Sequence, residues 1–199
     1  TPPGARSARI EHDAGDVAPI REALGLERWN VFGHSWGGGI AMLATAQDQD
    51  AVNRLVVVDA VGATSAWLSR LHSGAIDRLS GEKREALEQL DPENLKVADI
   101  AAHAEYTSAL YPAWFAGREF GAIFSSPRAD SPTGAAVASR LRREGYDWTS
   151  VIRTIRVPTL VVHGEDDLLD VSVAREIHDL IPGSELSLIP HAGHLPFWE

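Results

Sequence analysis

Apolar and polar positions alternate along this chain in short blocks that predict strands and helices in turn. Runs rich in apolar and β-branched residues are typical of buried strands. They cover residues 28–32, 55–58, 158–164 and 185–189. The Ala- and Leu-rich residues 38–46 indicate a buried helix, and residues 13–24 predict one amphipathic helix ended by Gly25. We therefore expect an α/β fold with a mainly parallel sheet.

A long middle stretch carries helical patterns without a convincing strand. These patterns cover residues 64–79, 81–90, 95–110 and 133–144. Prolines 92 and 132 separate them, because proline ends a helix. We predict a first core part at residues 1–63, a helical insertion at 64–150 and a second core part at 151–199. Aromatic residues of the insertion are expected to form its own core: Trp67, Trp114, Phe115, Phe120 and Trp148.

The turn between the first strand and the helix after it carries the strongest chemical signal. Residues 33–37 read Gly-His-Ser-Trp-Gly. A serine on such a sharp turn takes a strained backbone, and we expect glycine at Gly33 and Gly37 to remove clashes with neighbouring side chains. The turn exposes the hydroxyl of Ser35 in front of a helix N-terminus. Ser35 is therefore the candidate nucleophile.

A serine nucleophile needs a base to take its proton and an acid to orient that base. The third strand leads into Asp166 and Asp167, and the fourth leads into His191 and His194. Asp59, which ends the second strand, is a further candidate acid. Parallel strands bring such distant groups together at the carboxyl edge of a sheet, where open α/β sheets place their sites.

In this order the motifs resemble those of the α/β-hydrolase family. Residues 33–38 look like its nucleophile elbow, residues 164–167 like its acid turn, and residues 192–197 like its histidine loop. The resemblance covers nearly the whole chain, and three ordered motifs are far more specific than one. It implies a partial α/β-hydrolase fold in which the helical insertion is a cap over the site.

The family resemblance also implies a role for each site residue. Ser35 is the nucleophile, Asp167 the orienting acid and His194 the general base, and the amide of Trp36 is one oxyanion donor. Asp167 is preferred to its neighbour Asp166, whose ordinary role is to bond its own turn. Asp59 stays a rival, since some family members carry the acid after that strand.

Other histidines near these motifs have ordinary structural interpretations. His191 is interpreted as a loop residue, and His163, at a strand end, as a packed and hydrogen-bonded histidine. His34 is expected to face away from the direction of attack and to support the elbow.

Further segments resemble the proline iminopeptidase branch of the family. They are the elbow itself, Tyr-Pro-Ala-Trp-Phe at residues 111–115 and the Pro-Pro-Gly start at residues 2–7. The resemblance implies a serine hydrolase that releases N-terminal proline from small peptides, with cap carboxylates such as Glu105 or Glu119 holding the substrate amine. A carboxylesterase, a lactonase or another small-amide hydrolase is the alternative, and a non-catalytic binding protein of this fold is a third hypothesis.

The resemblance further predicts that the chain is a piece of a longer enzyme. The family's first strands would precede residue 1, together with the loop that supplies its second oxyanion donor. A final helix would follow residue 199.

Composition narrows the classes of partner. The 199 residues carry 28 acidic against 18 basic side chains, a net charge of −10, which argues against nucleic acid. The absence of cysteine excludes thiol chemistry, and the histidine spacing lacks a zinc-hydrolase pattern. We expect no cofactor, no metal and no membrane span, a small-molecule or short-peptide substrate, and a cytoplasmic location.

Overall fold

The computed structural model describes residues 9–96, 98–123 and 132–199. Its described part is centred on a four-stranded parallel sheet in the order β1-β2-β3-β4. The strands are β1 at Trp29–His34, β2 at Val52–Val58, β3 at Thr159–Gly164 and β4 at Glu185–Ile189. Each of the four predicted strands forms, and the predicted α/β fold class is confirmed.

Helices surround the sheet and fill the middle of the chain. They are α1 at Ile10–Gly15, α2 at Val17–Ala23, α3 at Trp36–Gln47, α4 at Leu68–Arg78, α5 at Gly81–Gln89, α6 at Ile100–Leu110, α7 at Arg118–Ile123, α8 at Pro132–Glu144, α9 at Thr149–Ile152 and α10 at Ser172–Leu180. Short 3₁₀ turns lie at Gln49–Ala51, Ser65–Trp67 and Tyr111–Trp114. In the described ranges no helix is long and apolar enough to cross a bilayer.

The single helix predicted over residues 13–24 is wrong, because the chain forms α1 and α2 with a break at Asp16. Pro19 explains the break: it lacks an amide hydrogen, and its ring would clash with the carbonyl four residues earlier in a continuous helix. Gly25 ends α2 with φ of 69°, as predicted for a residue just past a helix end.

The strand register brings the site segments to one edge of the sheet. His34 pairs with Val58, Val58 pairs with Val162, and Gly164 pairs with Ile189. The residues that follow β1, β2, β3 and β4 therefore leave the sheet side by side. β1 is an edge strand of the described sheet, and its Phe32 is 64% exposed.

Two clusters of buried apolar residues form the interior of the described chain. The larger, which we call the sheet core, lies between the sheet and its flanking helices and includes Met42, Leu55 and Ile177. The smaller, which we call the cap cluster, joins α4, α5 and α6 through residues such as Ala75 and Leu87.

Trp148, predicted to belong to the core of the insertion, lies instead in the sheet core with 4% exposure. Its indole Nε1–H donates to the Glu11 carboxylate on α1 at 2.9 Å, so the end of the insertion packs back onto the core. The division at residues 63 and 150 stays a prediction. The Pro-Pro-Gly start at residues 2–7 lies outside the described residues.

Candidate active site

The turn after β1 holds Ser35 in a strained conformation. Ser35 has φ of 55° and ψ of −125°, and residues other than glycine rarely have a positive φ. Its amide donates to the Val58 carbonyl at 3.1 Å, and its carbonyl accepts from the Val61 amide at 3.2 Å. These bonds tie the turn to β2 and the loop after it. Trp36 is the first residue of α3, so its N–H has no acceptor within the helix.

The glycines around Ser35 have different roles. A Cβ on Gly33 would lie 2.2 Å from the carbonyl oxygen of Gly37, so only glycine fits at residue 33. A Cβ on Gly37 would meet no atom of the described chain within 4 Å, and the clash expected there does not arise. The reason is that Gly37 faces outward on the first turn of α3. Gly38 is the closely packed glycine instead, because a Cβ added there would lie 2.5 Å from the Cβ of Ala60.

The structure joins Ser35, His194 and Asp167 in one chain of hydrogen bonds. The Nε2 atom of His194 lies 2.8 Å from Ser35 Oγ, and its Nδ1 lies 2.8 Å from Asp167 Oδ2. An ionised carboxylate only accepts, so Nδ1 carries the proton and Nε2 presents its lone pair to the serine hydroxyl. This geometry suits proton transfer from the hydroxyl to the imidazole.

The two rivals of Asp167 lie in different surroundings. Asp166 is exposed, whereas Asp167 is 4% exposed and receives a further hydrogen bond from the Leu169 amide at 3.1 Å. Asp59 is fully buried beside Asp167, and the Gly164 amide donates to it at 2.8 Å. The structure therefore brings Asp59 into the site but gives Asp167 the direct bond to His194.

The other histidines near the site differ in their burial and in their hydrogen-bond partners. His191 is exposed on its loop, and His163 is buried with its Nε2 2.8 Å from the Leu169 carbonyl, as expected for a packed histidine. His34 differs from the expectation, because its Nε2 lies 2.7 Å from the carbonyl of His194. It supports the histidine loop rather than the elbow turn, since its ring lies beside the His194 ring at 4.8 Å.

The 3₁₀ turn at Tyr111–Trp114 holds the backbone and the ring of His194. The His194 amide donates to the Trp114 carbonyl at 2.7 Å, and the Trp114 ring lies 4.3 Å from the imidazole. The imidazole is thus flanked by Trp114 and His34, which restrict its rotation. No sequence motif marked Trp114 for this role, because the contact depends on how the insertion folds back.

Glu199 adds a second link between the segment after Trp114 and the histidine loop. Its Oε1 accepts from the amides of Ala116 at 2.8 Å and Gly117 at 3.2 Å, and its Oε2 accepts from the Gly193 amide at 2.7 Å. Hydrogen bonds to an ionised acceptor are stronger than neutral ones. Sequence reasoning missed Glu199, and the only local signal is an acid shortly after the histidine motif.

Arg78 of α4 supports the acid turn in a similar way. Its guanidinium donates to the carbonyls of Asp166 and Asp167. The acid turn is therefore held from the cap side as well as by the sheet. Arg78 was also missed, since an arginine on an amphipathic helix is ordinarily solvated.

Burial dominates the electrostatics of the site. It lowers the pKa of His194 to about 4, so the imidazole is neutral and able to accept a proton near pH 7. Burial also raises the pKa of Asp167 to about 6. Near neutral pH the imidazole of His194 is therefore neutral and the carboxyl group of Asp167 is ionised.

The described residues place ligand-type atoms of Asp59, His163 and Asp167 within 4.8 Å of one another. Two of these groups are already engaged: His163 Nε2 bonds the Leu169 carbonyl, and Asp167 Oδ2 bonds His194. A divalent cation could use the unpartnered Nδ1 of His163, but it would compete with His194 for Asp167 Oδ2 and would need more oxygen ligands. The donor set therefore does not fit a metal ion.

A cavity of about 370 Å³ opens in front of Ser35 and His194. Five aromatic side chains contribute to its wall: Trp36, Trp67, Tyr111, Trp114 and Trp198. Arg142 also lines the cavity, and no carboxylate does so among the described residues. Trp67 and Trp114 thus line the pocket, which was the less favoured of the two roles that the sequence left open to them.

The exposed Glu105 and Glu119 do not belong to this cavity wall. Two larger depressions, of about 680 and 570 Å³, lie elsewhere on the surface and include neither Ser35 nor His194. The cavity at the hydrogen-bonded chain is therefore the candidate substrate site.

Comparison with known sequences yields relatives of several activities. A proline iminopeptidase of Lactobacillus crispatus (strain ST1) is 26% identical over 194 residues, covering 92% of this chain and 65% of that protein. A 2-hydroxymuconate semialdehyde hydrolase of Pseudomonas putida is 26% identical over 188 residues, covering 93% of this chain and 61% of that protein. The chain thus spans less than two thirds of the length of these curated relatives.

Solved structures share the fold. The crystal structure of VinJ superposes with a TM-score of 0.74 at 21% identity, covering 99% of this chain and 70% of that one. The proline iminopeptidase of Mycobacterium smegmatis gives a TM-score of 0.65 at 19% identity, covering 97% and 67%. A family model described as the alpha/beta hydrolase fold matches residues 1–199. The chain therefore belongs to the α/β hydrolase fold family.

Proposed function

We propose that this protein is a serine hydrolase in which Ser35 is the nucleophile, His194 the general base and Asp167 the acid that orients it. The observation that carries the proposal is the unbroken hydrogen-bond chain from Ser35 Oγ through both nitrogens of His194 to Asp167. Family membership supports the same reaction class.

The geometry suits an acyl-enzyme mechanism. As Ser35 Oγ attacks a substrate carbonyl, its proton passes to His194 Nε2, and Asp167 stabilises the imidazolium that forms. His194 then returns the proton to the leaving group. Water repeats the sequence on the acyl-enzyme, with His194 again taking the proton, and releases the acid product.

The N-terminus of α3 supplies one donor for the oxyanion. The N–H of Trp36 has no helical acceptor and adjoins the nucleophile, where negative charge develops on the carbonyl oxygen. Loss of one such donor lowers turnover by roughly 10²- to 10³-fold in serine hydrolases. Trp36 therefore acts through its backbone, while its side chain lines the cavity.

Release of N-terminal proline from small peptides is the first candidate activity of the whole protein. Several curated relatives are proline iminopeptidases at about 26% identity. Their names support this substrate class. The cap carboxylates considered for the substrate amine, Glu105 and Glu119, do not line the described cavity and contribute no support.

Hydrolysis of a small ester, lactone or neutral amide is the second candidate. It is favoured by the aromatic wall of the cavity, which contains no carboxylate among the described lining residues. A charged amine buried there without an anionic partner would be costly. An uncharged acyl group fits such a wall without that penalty.

Two measurements test the proposal. A fluorophosphonate probe is expected to label wild-type protein at Ser35 and to leave Ser35→Ala unlabelled, whereas an unlabelled wild type would favour a non-catalytic binding protein. Turnover of a proline arylamide is then compared with that of a simple aryl ester. Ester turnover without arylamide turnover would exclude the peptidase candidate.

A further inference from the structure

A second carboxyl group is buried directly behind the proposed acid. Asp59 follows β2, has a positive φ of 44° and is fully buried. One of its oxygens, Oδ1, accepts from the Gly164 amide at 2.8 Å. The other, Oδ2, is buried without a donor among the described residues. An ionised carboxylate would leave that oxygen uncompensated, which is costly in a buried site.

The nearby carboxylate of Asp167 is itself an acceptor. One carboxyl oxygen of Asp59 and one of Asp167 lie within 4.8 Å of each other in the buried site. Two ionised carboxylates cannot bond each other, and two like charges in a buried site cannot both persist. One proton must therefore lie between them.

The surroundings decide which group holds that proton. Asp167 receives donors from the Leu169 amide and His194 Nδ1, and Arg78 lies near it, so its ionised form is well compensated. Asp59 receives a single amide donor. The asymmetry places the proton on Asp59.

His163, the other titratable group that faces Asp59, does not supply the proton. Its Nδ1 lies 3.4 Å from Asp59 Oδ1, but its Nε2 bonds the Leu169 carbonyl and so carries the single proton of a neutral ring. Burial lowers the pKa of His163, which keeps the ring neutral. His194, the proposed base, is a further titratable group that acts on Asp59, and burial lowers its pKa so that its ring is also neutral near pH 7.

We propose that Asp59 is a positioning residue, a neutral carboxylic acid that donates a hydrogen bond to the carboxylate of Asp167 and so fixes its orientation toward His194. The inference rests on the proposed function, because it assumes that Asp167 orients the base.

The titration of the pair agrees with this assignment. Burial, followed by the charge of Asp167, raises the pKa of Asp59 to about 8, above that of Asp167 at about 6. Near pH 7 the pair thus holds one proton, on Asp59. Above about pH 8 the proton is lost, and the bond to Asp167 is lost with it.

An infrared measurement tests the proton without any turnover. At pH 7 the Ser35→Ala protein is expected to show a carbonyl-stretch band of a buried protonated carboxylic acid that is absent from the Ser35→Ala/Asp59→Asn protein. The band should fade as the pH rises through about 8. Absence of the band at pH 7, or its persistence after the Asn substitution, would overturn the proposal. Because no catalysis is involved, this result is independent of whether the protein is a hydrolase.

Kinetics then test the positioning role. Asp59→Asn keeps a neutral hydrogen-bond donor and is expected to lower kcat by less than about threefold, whereas Asp59→Leu removes the donor and should lower kcat by about 10- to 100-fold with little change in KM. The wild type should lose activity above about pH 8, and the Asn variant should not.

Asp166→Asn, an exposed carboxylate next to the same turn, is the matched control. Equal losses of kcat in Asp59→Asn and Asp59→Leu would indicate that Asp59 has a merely structural role and would contradict the proposal. If Asp59→Leu fails to fold, the infrared band and the pH profile of Asp59→Asn still test the proposal.

Discussion

The sheet core and the cap cluster position the site in different ways. At the sheet, Ser35 and Asp167 follow parallel strands whose register is fixed by backbone bonds, and the residues beneath them are fully buried. The cap cluster is smaller and joins short helices, yet its segments carry Trp114 and Arg78, which hold His194 and the acid turn. The reactive groups therefore come from the strand ends of the sheet. The contacts that restrain them and much of the pocket wall come from the segments that carry the cap cluster.

This difference implies that chemistry and substrate choice are separable. Loss of a group at the strand ends should abolish turnover without unfolding the protein. Loss of a cap contact should alter the positioning of His194 or the binding of substrate by a smaller factor. The predictions below test that separation, starting with the largest expected effect.

Removal of the nucleophile or the base should have the largest effect. Ser35→Ala and His194→Ala are each expected to lower kcat by about 10⁴-fold or more, because no other group can take their place in proton transfer. Steady-state kinetics measure kcat, and a thermal unfolding scan checks that each variant is still folded. Ser69→Ala, an exposed serine on α4, should retain full activity. Substantial turnover by Ser35→Ala would refute the acyl-enzyme mechanism.

Substitution of the orienting acid should rank next. Asp167→Asn is expected to lower kcat by about 10⁴-fold, since an amide can stabilise the wrong tautomer of His194 and does not stabilise the imidazolium. The same change at exposed Asp166 should alter kcat by less than about twofold, as measured under identical conditions. A larger loss at Asp166 or Asp59 would reassign the acid.

Matched truncations compare the two interiors directly. Ile177 in the sheet core and Leu87 in the cap cluster are both fully buried. Ile177→Ala should lower the free energy of unfolding by about 2–5 kcal/mol. Leu87→Ala should cost less in global unfolding, because the smaller cluster can open locally. Denaturant titration measures the free energy of global unfolding, and amide exchange measures local opening of each cluster. Equal losses of global unfolding free energy in the two variants would show that the two regions unfold as one unit.

Weakening the link between the regions should have a moderate effect. Glu199→Gln removes the charge that accepts three amide hydrogens and is expected to lower kcat/KM by about tenfold through looser placement of His194. Glu185→Gln, an exposed glutamate on β4, is the control. An unchanged kcat/KM in Glu199→Gln would show that the link does not position the base.

The pH profile should reveal the smallest effect. The base must be neutral and the acid ionised, so kcat/KM falls when either group takes up a proton as the pH drops. With a pKa of about 4 for His194 and about 6 for Asp167, the acid limb should have its midpoint near pH 6, because Asp167 takes up its proton first as the pH drops. Activity at pH 6.5 should then be within about twofold of its maximum. A midpoint at or above 6.5, the ordinary histidine value, would contradict the burial effect.

The sequence by itself determined the local elements and the order of the chemical groups. Strand patterns identified β1 to β4 because the side chains that specify a buried strand lie within a few neighbouring residues. The elbow at Ser35 was equally visible, since its steric requirement at Gly33 is local. The proline break between α1 and α2 was also encoded locally, but the amphipathic pattern across it obscured the break.

Tertiary structure alone decided how distant groups meet. Burial separated Asp167 from exposed Asp166, and the packing of β2 against β3 placed Asp59 behind the acid. The contacts of Trp114 with His194 and of Glu199 with Ala116 likewise join segments about 80 residues apart. Such contacts depend on how helices fold back over a sheet, and no pattern of neighbouring residues specifies that packing.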